Sequence, residues 1–238
     1  MNRQPAVPPN RAEASANWGA RHISVGLAVG WLAVFVTQAV TVSGTGEISA
    51  DDLSLEAISL FQIALWCGLL GVPIWLVLYK NLRWADLGLS FRISDVLSGF
   101  GLGALAQAVL VPILYAPVLF FTDELDVSGE ARNLVEKADG FGVLLLFAVV
   151  VVGAPVIEEL FFRGLAMPVF ERRFGQRLGL FISAGLFGLV HLQLLQFPAL
   201  FLFGLLVGWL VQRDGRLGRA IWAHVGFNAW TVGVLLWI

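Results

Sequence analysis

Residues 140–163 read GFGVLLLFAVVVVGAPVIEELFFR. From Phe141 to Ile157 no side chain carries a charge; then Glu158, Glu159 and Arg163 follow in quick succession. A membrane-spanning helix needs roughly 20 mostly apolar residues. The run 140–157 is close to that length and continues helically into Glu158. It lacks the period-2 alternation of a barrel strand and is too long for one. Hydrocarbon admits only helices and closed barrels, because each must satisfy its own backbone. The stretch therefore reads as a membrane helix with ionisable groups at one end.

The rest of the chain repeats this texture. Further apolar runs lie at 23–42, 57–79, 96–121, 178–194, 198–211 and 220–238, which makes seven. Hydrophobic residues are 58% of the chain and charged ones 13%, about half of what a soluble domain carries (~25%). The expected fold is an all-α, polytopic transmembrane helical bundle of about 7–8 membrane helices. Residues 1–22, with Pro5, Pro8 and Pro9, read as a polar N-terminal tail that includes His22. Residues 23–238 read as a single transmembrane domain, with its chemistry concentrated in 140–238. The single cysteine, Cys67, sits in an apolar run and reads as lipid-facing or packing surface. Gly99–Gly103 and Gly204–Gly208 have the spacing of close helix packing. Trp84 and Trp237, near span ends, fit an interfacial aromatic belt.

Lysine and arginine set the orientation. The tail holds Arg3, Arg11 and Arg21, while loop 43–56 holds only acids. Lys80, Arg83 and Arg92 follow the second run; the 122–139 loop is acidic, relieved only by Arg132 and Lys137. Arg172, Arg173 and Arg177 come next, and Arg213, Arg216 and Arg219 follow the sixth run. The alternation predicts a cytoplasmic N-terminus and, with seven spans, a C-terminus on the far side. The segment 80–95 is where a missed or re-entrant helix would lie.

An ionisable residue inside a span is costly and is by default a functional hypothesis. Three groups stand out. Glu159 and Arg163 are four apart and face one another on a helix. Glu158, rotated about 100° from Glu159, is left free for chemistry. Phe187 and His191 share a face, as do His224 and Asn228. Each group alone also suits interhelical packing. Together they bring a carboxylate, two imidazoles and a carboxamide from three helices. Peptide hydrolysis without a covalent intermediate needs such a set: a base to take a proton from water, and donors for the oxyanion.

The series EExxxR, FxxxH and HxxxN, in that order on late helices, resembles the CPBP family, the CAAX-protease and bacteriocin-processing (Abi) group that includes the Ras-converting CAAX endopeptidases. APVIEELFFRG (154–164) resembles its first motif, and LGLSFR (87–92) a weaker upstream element. The first 60 residues carry no such signal. The resemblance implies intramembrane proteolysis. Glu158 and His191 would activate water, His224 and Asn228 would hold the oxyanion, and Arg163 would hold Glu159.

No cofactor is expected. Glu158, His191 and His224 could form a three-ligand zinc site, but HExxH is absent and Asn228 suits an oxyanion better than a metal. The expected partners are membrane lipid and a membrane-associated or lipidated peptide or protein, reached from a cavity open to the cytoplasmic side; no nucleic acid is expected. Neither the substrate nor an oligomeric state is written in the sequence. Two other readings use the same residues: a non-catalytic bacteriocin-immunity-type binding protein, and a transporter, although no internal repeat is visible. One conflict stands. Glu158 and His224 lie near cytoplasmic helix ends, whereas His191 is about 21 Å beyond Arg177. They meet only if the fifth helix starts below the membrane surface or is strongly tilted.

Overall fold

The computed structural model describes residues 17–43, 53–121 and 126–237. Among them every regular element is a helix: α1 (Ala20–Val42), α2 (Leu55–Tyr79), α3 (Ile93–Leu119), α4 (Gly129–Glu136), α5 (Phe141–Phe174), α6 (Gln176–Val190), α7 (Phe197–Asp214) and α8 (Gly218–Trp237). Six of these are long and apolar enough to cross a membrane, and α6 is a shorter apolar helix. They account for the seven runs. The segment 80–92 forms turns rather than a further helix, and the acidic loop contains the short helix α4. His22 lies in the first turn of α1, where its Nδ1 accepts from the Gly19 N–H at 3.0 Å. Cys67 is exposed on the outside of α2.

The largest departure from expectation is α5. Its 34 residues make about 51 Å of helix and run well past Glu158. The charges that look like a helix end are carried inside it, because Glu159 and Arg163 pair and are both buried.

Proline shapes the long helices. Pro112, Pro155 and Pro168 each follow a π-helical stretch: Ala106–Leu110 in α3, and Phe147–Gly153 and Leu160–Ala166 in α5. A proline inside a helix has no N–H, and its ring crowds the carbonyl four residues back. The turn before it widens instead. The residue preceding each proline bonds five residues back: Val111 to Ala106, Ala154 to Val149 and Met167 to Phe162. Such widened turns recur at functional sites.

Lipid tails give apolar side chains no reason to leave them, so helices associate by close fit. Glycine supplies that fit here. A Cβ on Gly103 would overlap the Ala223 carbonyl, and one on Gly226 the Phe100 carbonyl, so α3 and α8 touch backbone to backbone. Gly68 does the same between α2 and α1. Gly204 packs on Ala184 and Gly208 on Leu180, which joins α7 to α6.

The bundle has two unlike ends. At one, the Leu217 N–H donates to the Gly88 carbonyl (2.8 Å), and the fully buried Asp95 accepts from the Arg92 N–H (2.8 Å) and pairs with Arg216. Trp18 donates to the Leu165 carbonyl and accepts from Arg172 at its own (both 2.8 Å). Arg83, hydrogen-bonded to Asp86, holds that carboxyl below the usual carboxylate range. We call this end the basic pole. At the other, the acidic pole, the Tyr115 hydroxyl donates to the Leu195 carbonyl (2.6 Å), and Gln196 donates to the Val127 carbonyl beside α4 (3.4 Å).

Candidate active site

Glu158 and Glu159 occupy one α-helical turn, Ala154–Glu159, held between the two π-helical stretches of α5. Glu159 is wholly buried and accepts from Arg163 Nη1 at 2.9 Å. Arg163 also donates to the Gly204 carbonyl at 3.2 Å and lies over the Phe187 ring, 4.3 Å from its centroid. Every one of these contacts offsets the cost of an interior charge. Glu158, 8% exposed, lies beside His224.

His224 lies between the two glutamates. Its Nδ1 is 2.9 Å from Glu159 Oε1, and its Nε2 is 3.9 Å from Glu158 Oε2. Glu159 accepts only, so Nδ1 carries the proton and Nε2 is turned toward Glu158. His191 is oriented by the same logic. Its Nδ1 is 2.7 Å from the Phe187 carbonyl, so it donates there and leaves Nε2 as the free nitrogen. Asn228 donates from Nδ2 to the Val150 carbonyl at 2.8 Å, which ties α8 to the π-helical stretch of α5. A carboxamide nitrogen has two N–H groups, so one remains for a ligand.

Phe187 is the hub that spacing alone did not reveal. Its ring touches those of His191 (4.8 Å between centroids), His224 (5.7 Å) and Phe162 (5.4 Å), beneath the Arg163 guanidinium.

The difficulty over depth is resolved by α5. Glu158 stands about sixteen residues before the Gly175 turn and His191 about sixteen after it, so both lie about 24 Å from it. The Gly175 turn stands beyond the basic pole, because Leu165 already meets Trp18 there and Gly164 lies against Leu87 and Leu217. α6 therefore begins well outside that level, which is how the fifth apolar run brings His191 to Glu158. α6 also stops at Val190, earlier than the apolar run implies, because Leu192 adopts a left-handed backbone (φ 56°). His191 caps the helix at the edge of the turn.

Glu158, His191, His224 and Asn228 all line one cavity of about 300 Å³. The sequence reading missed four glutamines in its wall: Gln62 on α2, Gln107 in the π-helical stretch of α3, and Gln193 and Gln196 after His191. Gln62 Nε2 and Gln107 Oε1 are buried with no partner. Each is a lone polar residue in an apolar run, and that is the signal that could have found them. The cavity is also lined by Ser128, Glu130 and Leu134 around α4. It reaches toward the acidic pole, not toward the basic pole as anticipated. Among the described residues, no group of three or more His, Cys, Asp or Glu side chains is placed to hold a metal ion.

Residues 140–230 match the family model described as "Type II CAAX prenyl endopeptidase Rce1-like", a range that runs from α5 into α8 and holds Glu158, Glu159, Arg163, His191, His224 and Asn228 but not the cavity wall from α2, α3 and α4. No curated protein and no solved structure matches the chain.

Proposed function

The chain carries an Rce1-like domain of the CAAX-protease kind at residues 140–230, and from that premise we propose that this multi-pass membrane protein is an intramembrane endopeptidase that cleaves a membrane-associated polypeptide with water activated by Glu158 and His191. The observation that carries the reading is the cavity itself. A carboxylate, two imidazoles and a carboxamide from three helices converge on it, and each imidazole has its Nδ1 already engaged.

The chemistry follows from those bonds. A water between Glu158 and His191 loses its proton to the carboxylate or to His191 Nε2 as it attacks the scissile carbonyl. The carbonyl oxygen becomes an oxyanion. The free N–H of Asn228 donates to it, and so does His224 Nε2 when that ring carries a proton on both nitrogens. Glu159 supplies the counter-charge for such an imidazolium, and Arg163 keeps Glu159 in place. The proton taken from water then passes to the leaving amine, and the peptide bond breaks. Donors and acceptors are balanced without a metal, which favours the metal-free route. The family description names prenyl endopeptidases, so prenylated C-terminal peptides belong among the substrates to be tried.

The test is cleavage of a fluorogenic peptide panel, lipidated and unlipidated, by the purified protein in detergent. Glu158→Gln should lower kcat at least about a hundredfold while the fold is kept, and a chelator should leave the wild type active. Loss with chelator and recovery with zinc would make Glu158, His191 and His224 ligands. A Glu158→Gln protein as active as the wild type would overturn the proposal.

A further inference from the structure

The site is closed on one side and open on the other. Toward the basic pole, Phe161, Phe162, Arg163, Leu165 and Phe187 are at most 1% exposed and fill the bundle. Toward the acidic pole, the cavity runs out past Leu134 to Ser128 and Glu130, which are exposed. No lysine or arginine lines it.

The two poles also differ in what membrane insertion reads. Short loops rich in lysine and arginine stay in the cytoplasm. Arg83, Arg92, Arg172, Arg173, Arg177 and Arg213 all belong to the basic pole, where α2, α5 and α7 end and α3 and α6 begin. The loops of the acidic pole, 43–54 and 120–140, hold only Arg132 and Lys137 against a large excess of acids. The basic pole is therefore the cytoplasmic one, and the mouth faces away from it. The wall suits one kind of occupant. Gln62 offers a buried, unpartnered donor and Gln107 a buried, unpartnered acceptor, and a peptide main chain supplies one of each per residue.

We infer that the site draws its substrate from the extracytoplasmic side of the membrane, and that the substrate is a polypeptide segment exposed there. The substrate half of this rests on the endopeptidase reading; the direction of access does not.

The experiment separates the two. The full chain is expressed with Cys67→Ser and one new cysteine, Ser128→Cys at the mouth or Gln176→Cys at the basic pole; both positions are exposed. Intact cells are treated with a membrane-impermeant maleimide. Ser128→Cys should be modified at once, and Gln176→Cys only after permeabilisation. Any other pattern overturns the inference. Modifying each purified variant then tests the mouth. The adduct at Ser128→Cys should abolish cleavage of the fluorogenic peptide, and the adduct at Gln176→Cys should leave it intact; the reverse also overturns the inference. If the purified protein cleaves nothing, the endopeptidase reading fails while the labelling still reports which side the mouth faces.

Discussion

Glu159 and Arg163 are the side chains whose separate loss should hurt the fold most. Both are wholly buried and each is the other's counter-charge. Removing one partner of such a pair leaves an interior charge and costs about 3–5 kcal/mol. Arg163→Ala should therefore lower the thermal midpoint in detergent markedly, and the double variant Glu159→Gln/Arg163→Met should lower it less. Equal losses would mean that the pair is not what stabilises this turn. Asn228 is expected to act differently. Asn228→Ala loses a donor to Val150 and, in the proposed mechanism, a donor to the oxyanion, so kcat should fall by about 10²–10³ with a smaller change in KM, measured by steady-state cleavage. The pairing of Glu159 with Arg163 was legible in sequence because four-residue spacing on a helix fixes which groups meet. Gln62 and Gln107 were passed over because a neutral amide scarcely lowers the hydropathy of its run. Whether its partner is missing depends on helices distant in sequence.

At the scale of elements, proline placement sets where the turn bearing Glu158 points. Pro155 lies just after the π-helical stretch Phe147–Gly153 and three residues before Glu158. Pro155→Ala restores a backbone donor and removes the ring that widens the turn. α5 is then free to tighten to ordinary α geometry, which rotates Glu158 relative to Val150 and Asn228. A misplacement of about 1 Å in an active site costs about a hundredfold in rate, so kcat should drop while circular dichroism and the thermal midpoint hold or rise. Unchanged activity would show that the widened turn is incidental. The three proline positions are visible in the sequence, but the widened turns before them are not, because they depend on how each helix relaxes around the missing N–H. The end of α5 was misplaced for a related reason. Glu158, Glu159 and Arg163 look like an interfacial boundary to any hydropathy argument, and only the burial of the ion pair shows that the helix carries them through.

For the molecule as a whole, the number of helices and the alternation of charge were open to reading, since span length and loop arginines answer to the bilayer itself. The direction in which the cavity opens was not. It depends on α4 and the 191–196 turn meeting over the site, and on Phe162 and Phe187 closing the opposite side. The short helix α6 carries a consequence of its own. Its 15 residues make about 22 Å, against a hydrocarbon layer of about 30 Å. Leu189, Leu192 and Leu194 are exposed where it ends. A span this short is expected to draw the bilayer into a dimple beside it. Such a dimple brings bulk solvent toward the depth of Glu158 without any channel through the protein. Acyl-chain length then becomes a control on turnover. Vesicles with chains of about 14 carbons should support faster cleavage than vesicles with about 20, and rates that ignore chain length would show that the protein does not deform its membrane.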